Sequence, residues 1–585
     1  MWRQTFTCTF YITTWTHMLS YCMTSIRLCV THLRPSIKWN DFVGIAMCMT
    51  FLLVGCEDLS SSSSSKTNDS SIDGVDTYLD QYSAQTMDMT PQASNPTDDM
   101  QAINHVDQAA VDQRVTDYSI SADQGQWDYH IPDEPIAVPD QAQYIPATPQ
   151  RSGDPQLGYD YFINAPFVGC GIPMSVFDQL QVETFFPLVG LPREQAYLAG
   201  RTGRNQELPY FLTHNRTTEG VDVAGINCMS CHASVFNGEL VVGLGNTTIS
   251  TTSDVGVFAN GIGRFISDPA EREAWAYWAE RMGAAGAVSV LDTVGVVAAD
   301  NLAVVLFGYR DPSTLVWQGE YQVELPPQGI PTVPLAVPPL WRMGKKNAMF
   351  YTGSFRGDHS RYMFAASSLC LKDLDEFYEI DAYFNHVRAW IASLEPPQWP
   401  FELNEQKVQR GERVFHHYCS ACHGSYKENE ESYPNLSIPI EMIGTDRLLL
   451  DFEELFVNTL APWFVQTPMV ESNFLEASQG YMPPPLDGIW ITAPYLHNDS
   501  VPNLMALLDS SLRPRYWQRA SRDNRDFDPV MVGWPYVESD IGKEEGASIH
   551  VYDTTREGYS NAGHTFGDRL THEQRMDLLE YLKTL

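Results

Sequence analysis

Basic residues are scarce in this chain of 585 residues: Lys and Arg number 37 against 73 Asp and Glu, a formal net charge of −36. A phosphate backbone is bound through clustered Lys and Arg that release counterions, so this balance argues against nucleic acid as a partner. It argues equally against docking on an anionic membrane surface. No Gly-rich phosphate loop stands between a strand and a helix, and no G-x-S-x-G elbow occurs. Nucleotide and serine-hydrolase chemistry are therefore without support. Long apolar runs are missing as well. The stretch 42–55 (FVGIAMCMTFLLVG) is shorter than the roughly 20 residues a membrane-spanning helix needs.

That stretch has another reading. Arg34 and Lys38 precede it, and Leu53-Val54-Gly55 lead into Cys56. A positive segment, a short apolar segment and small residues at the cut are the layout of a secretory signal. The last four residues resemble a bacterial lipobox, whose Cys carries lipid after cleavage. Residues 1–55 are thus expected to be a signal segment, its start at Met1 or at a later Met such as Met23. The mature protein is expected to be exported, a periplasmic or cell-envelope lipoprotein anchored through Cys56. Residues 56–155 then change character: from Glu57 to Pro155 there are 18 acidic and 3 basic side chains, with Ser60–Ser65 near the start. Such a segment buries too little apolar area to offset its ordering entropy, which predicts a disordered acidic linker.

Two pentapeptides carry the chemistry: Cys228-Met229-Ser230-Cys231-His232 and Cys419-Ser420-Ala421-Cys422-His423. C-x-x-C-H is the attachment pattern of c-type haem. Two thiols at that spacing reach the two vinyl groups of one haem, and the next residue, His, turns onto the iron. A redox C-x-x-C has no need of the His, and a zinc site needs further Cys or His at short range. Two covalently bound haem c groups are therefore expected, with His232 and His423 as axial ligands. Residues 407–418 (KVQRGERVFHHY) have a helical pattern leading into the second motif. Thr571 and Gln574 have capping-box spacing before a final helix. Helix, haem motif, loops and closing helix make the plan of a class I cytochrome c domain over 400–585. The first motif lies in 156–399, a haem c domain with insertions and one clear helix at 269–282. The fold class expected is mainly α, two cytochrome c-like haem domains with loop-rich insertions behind the acidic linker.

The paired motifs resemble the di-haem cytochrome c peroxidase superfamily. PPLWRMGKKNAMFYTGSFRGDH (338–359), PPLDGIWITAPYLHNDSVPNL (484–504) and NAGHTFG (561–567) resemble its rubber (latex) oxygenase branch, which cleaves polyisoprene double bonds with O₂. The resemblance covers about 156–585 and does not transfer a substrate, since related folds host different chemistries. It implies an aromatic bridge between the haems at Trp341, and His564 as second ligand of the C-terminal iron. His497 or Met482, or Met469, are alternatives there. It implies an open N-terminal iron, although His214 or His359 would close it by folding back. A peroxidase would place an acid–base residue, typically Glu, by that iron, and the sequence singles out none.

Cys170 and Cys370 are the remaining mature cysteines; a disulfide suits an oxidising compartment, and free thiols are the alternative. The function expected is a haem-dependent oxidoreductase of oxygenase or peroxidase type. It would use a redox partner protein or small electron donor, with an apolar substrate and O₂, or with peroxide. The acidic surface would favour basic partners. The alternative is a pure electron-transfer cytochrome with both irons six-coordinate.

Overall fold

The computed structural model describes residues 131, 135–179, 193–263, 266–326, 329–427 and 431–585. The signal segment, Cys56 and most of the acidic linker lie outside the described residues. No described helix is long and apolar enough to cross a membrane.

Helices make up 40% and strands 13% of the described residues, so the expectation of a mainly α chain is corrected to a mixed α/β fold. The described strands form four sheets of three short strands and one hairpin, all paired antiparallel. Their pairing is mostly non-local. Ile172 opposes Ala224, and Phe355 opposes Leu475. Strands of two to five residues joined across such separations leave no alternating run for a sequence reading to find.

The helices do follow local signals. Asp154 caps the Pro155–Asn164 helix by accepting from the amides of Gln156 and Leu157, with Pro155 at the first position. Asp373 caps Leu374–Ala392 in the same way, and Asp268 caps Pro269–Ser289, which extends the expected 269–282 helix. In the last helix, His572–Leu582, Thr571 and Gln574 form the expected capping box.

Two hydrophobic cores organise the described chain. One gathers Phe162, Phe307, Phe377 and Phe384 with Leu449, Phe452, Phe456 and Trp463 from the Leu448–Phe464 helix. The other gathers Phe236, Leu244 and Trp341 with Phe415, Trp490 and Leu578. Both therefore draw on residues from either side of position 400, and the Phe355–Gly357/Asn473–Leu475 strand pair crosses it too. The expected boundary at 399/400 does not separate two cores.

The linker expected over 56–155 also ends sooner than composition implies. Gln143–Tyr144 pairs with Leu436–Ser437, and the amide of Ile145, itself buried, donates to the Asn435 carbonyl. Arg151 then bridges Asp358 at 2.5 Å and Asp381 at 2.7 Å, both buried carboxylates. One strand pair and one ion-paired Arg hold this segment, and neither alters its polar composition. Cys170 and Cys370 are joined by a disulfide, Cα atoms 5.6 Å apart and 200 residues apart in sequence.

Candidate haem sites

The two motifs have different surroundings. The Cys419 motif follows the Glu405–Tyr418 helix, with Ser420–His423 forming one further helical turn. The incoming helix crosses His572–Leu582 at Gly411, where a Cβ would lie 2.0 Å from the Asp577 carbonyl oxygen. Only glycine permits that approach. Arg410 fixes the crossing, donating to both carboxylate oxygens of Asp577 at 2.6 and 2.8 Å. No helix leads into the Cys228 motif. It follows the Asp222–Ile226 strand, and its His232 runs directly into the hairpin of Ala233–Phe236 with Glu239–Val242.

The histidines nonetheless share one anchoring. His232 Nδ1 lies 3.2 Å from the Pro338 carbonyl oxygen, and His423 Nδ1 lies 2.9 Å from that of Pro484. A carbonyl only accepts, so each Nδ1 carries the proton and donates it. Each Nε2 then keeps its lone pair, as axial ligation requires. Burial holds both rings neutral, lowering His232 to about 4 and lowering His423 as well. The four thiols are unlinked to one another. Burial raises Cys228 and Cys419 to about 12 and Cys231 to about 11. All four thiols and both rings nevertheless keep partial exposure.

The C-terminal motif has a second imidazole beside it. His564, in a left-handed backbone conformation, brings its ring centre to 6.3 Å from that of His423. Two metal–nitrogen bonds of about 2 Å, plus about 1 Å from each nitrogen to its ring centre, total about 6 Å. One iron between the two rings fits that gap. Burial and the nearby His423 lower His564 to about 3, so it too is neutral. The alternatives lie elsewhere. The His497 ring stacks on Tyr481 at 4.6 Å, Met482 packs with Ile145 and Ala348, and Met469 is buried in the first core. Around His232, no described imidazole stands opposite. His214 Nε2 bonds Asp222 at 3.0 Å, and His359 begins a short helix with its Nε2 buried and unpaired.

Trp341 sits between the two arrangements. Its ring lies 3.6 Å from where a Gly243 Cβ would be, and the Gly243 amide donates to the His232 carbonyl. Its Nε1 donates to the Asp487 carbonyl at 2.9 Å, three residues beyond Pro484. The next residue, Arg342, is buried and donates to the same carbonyl at 3.1 Å and to the Thr492 hydroxyl at 3.2 Å. Among the described residues, no carboxylate pairs with it within salt-bridge distance.

Sequence reasoning missed the two carbonyl anchors, although Pro-Pro-Leu stands at both 338–340 and 484–486. It also missed a buried carboxyl pair. Both oxygens of Asp300 and one of Glu453 lack any hydrogen-bond partner, while the other Glu453 oxygen accepts from Thr352. Burial raises both carboxyls, and the charge of Glu453 raises Asp300 further. Glu453 lies on the apolar stripe of Leu448–Phe464 among Leu449, Phe452 and Phe456. A Glu in that register is the signal that could have marked it.

A family described as RoxA-like, cytochrome c-like matches residues 480–518. Over those residues the chain is similar to a RoxA-like cytochrome c. That segment contains Pro484, Asp487 and Trp490, and it implies haem c binding by a cytochrome. The match does not extend to the di-haem peroxidase assignment, nor does it count haems. Two proteins of Sinorhizobium fredii are similar over part of the chain. Uncharacterized protein y4iJ is 31% identical over 33% of this chain and 42% of its own length. Uncharacterized protein y4iM is 23% identical over 42% of this chain and 64% of its own. The chain thus spans less than two thirds of either relative.

Proposed function

We propose that the chain is an exported di-haem c-type cytochrome acting as an oxidoreductase, one iron open and the other closed by two histidines. The observation that carries this reading is the His423–His564 pair at 6.3 Å, with no described imidazole in the equivalent place opposite His232. Covalent haem supplies a redox-active iron, able to take up O₂ or peroxide where a coordination position is free. The chain's own residues do the rest. Cys228 and Cys231, and Cys419 and Cys422, tether the two groups. Pro338 and Pro484 hold the ligand histidines in the tautomer that presents Nε2. Arg342, a buried guanidinium bonded among the described residues to a main-chain oxygen and a hydroxyl, offers a charge partner to a haem propionate. Trp341 is the contact through which electrons pass between the two sites. An anchor at Cys56 would hold the protein at a cell-envelope membrane, as its sequence setting supports.

Within this reading, oxygenase-type use of O₂ on an apolar substrate leads, supported by the stretches at 338–359, 484–504 and 561–567; peroxide reduction is second. The test is a haemochrome assay on the full chain, followed by reaction with O₂ and polyisoprene, then with peroxide and a reducing dye. Two haems per chain and turnover in one assay are expected. Two haems with no reaction toward O₂ or peroxide would overturn the catalytic reading in favour of a carrier with both irons six-coordinate.

A further inference from the structure

The segment joining the two motifs exposes apolar side chains where the first core region hands over to the second. Phe401 is 44% and Leu403 39% exposed. Glu395, Glu402 and Glu405 are exposed beside them, and no Lys or Arg occurs between 395 and 406. An apolar centre within acidic surroundings is a rim-and-core arrangement suited to a basic partner.

Beneath this patch a series of rings runs inward. Phe401 lies 5.1 Å from Trp399, Trp399 lies 5.2 Å from Trp490, and Trp490 lies 5.4 Å from Phe236. Phe236 ends the strand that begins directly after His232. Two residues before Trp490, a Cβ at Gly488 would meet Pro396 at 2.6 Å and Trp341 at 3.0 Å. The outer segment and the tryptophan between the haem motifs therefore press on the same loop. Buried indole N–H groups usually find an acceptor. Those of Trp399 and Trp490 have none among the described residues, so packing rather than a hydrogen bond positions this pair. Lys583 Nζ stands 5.0 Å over the Trp399 ring and pairs with Glu580 at 2.7 Å, so its charge is offset there. The ring contacts suit the pair to passing an electron inward.

We infer that the Phe401–Leu403 patch is the docking surface for a small, basic one-electron donor protein, with Trp399 and Trp490 as the route inward. This rests on the di-haem reading. The donor is oxidised by one electron, a haem iron of this chain is reduced by one, and no bond or proton changes place.

The probe is a lysine-rich class I cytochrome c, used with the full haem-loaded chain. Its oxidised form gives a Kd by titration calorimetry at low salt, and its reduced form a limiting electron-transfer rate by stopped flow. Glu402→Lys with Glu405→Lys should weaken binding about tenfold, with the limiting rate unchanged. Trp399→Leu, at a half-exposed site, and Trp490→Leu should lower the limiting rate severalfold, with Kd unchanged. An unaltered Kd in the charge-reversed variant, or no binding by the parent chain, overturns the docking surface. An unaltered limiting rate in Trp399→Leu overturns the route. Dithionite-reduced spectra separate these failures from that of the underlying reading: a parent chain without haem c overturns both.

Discussion

The two C-x-x-C-H motifs carry the same ligand chemistry in opposite settings. The Cys419 motif is delivered by a helix, clamped by a second helix at Gly411, and faced by His564. The Cys228 motif is delivered by a strand, continues into a hairpin, and faces no described imidazole. On the proposed function, the common part, thiol pair and Pro-anchored His, would attach and orient a haem, and the differing part would set what its iron can do. A second His would fill the last coordination position and favour electron storage, whereas an open position would leave room for a small molecule.

Four experiments can break or sharpen that comparison. Replacing Cys419 and Cys422 by Ser should halve the haemochrome absorbance per chain and leave the signal of the Cys228 site. The mirror variant should do the converse, and loss of both signals in either would show that the sites are not independent. Gly411→Ala comes next. Its Cβ would strike the Asp577 carbonyl, so destabilisation of about 3 kcal/mol or more is expected, read by thermal melting. The spectrum of the His423 site should change first. His564→Ala should leave both haems attached and convert the second iron to a ligand-binding one, read by the spectral change on adding CO.

A further effect, read through pH, concerns the carboxyl pair. Raised carboxyls mean that the folded chain binds more protons than the unfolded one above the ordinary carboxylate range. Stability therefore falls as pH rises from that range through the raised values of Asp300 and Glu453. Glu453→Gln removes one of the two groups and should flatten that fall, by about 1.4 kcal/mol for each pH unit over which the folded Glu453 stays protonated and the unfolded one does not. Denaturant midpoints between pH 5 and 8 read the difference.

What the sequence makes legible divides along the same line. Around Cys419, the helical pattern at 407–418 and the Thr571–Gln574 spacing are local, and the structure forms both elements. His564 is legible from its place in NAGHTFG, and the structure brings it to His423. Around Cys228, the strand that leads into the motif pairs Ala224 with Ile172, a partner no local window contains, while its other pairing and the following hairpin are local but short. The mainly α expectation extends the C-terminal plan to a site built differently. The docking of Gln143–Arg151 and the Asp300–Glu453 pair escape for the same reason, since their partners lie more than a hundred residues away.

The central claim is the asymmetry of the two irons, and carbon monoxide tests it most directly. The full chain, reduced with dithionite, would be titrated with CO while absorbance is followed per haem. One CO per two haems is the result expected, rising to two in His564→Ala. No binding by the parent chain, or two CO per chain before any substitution, would contradict it.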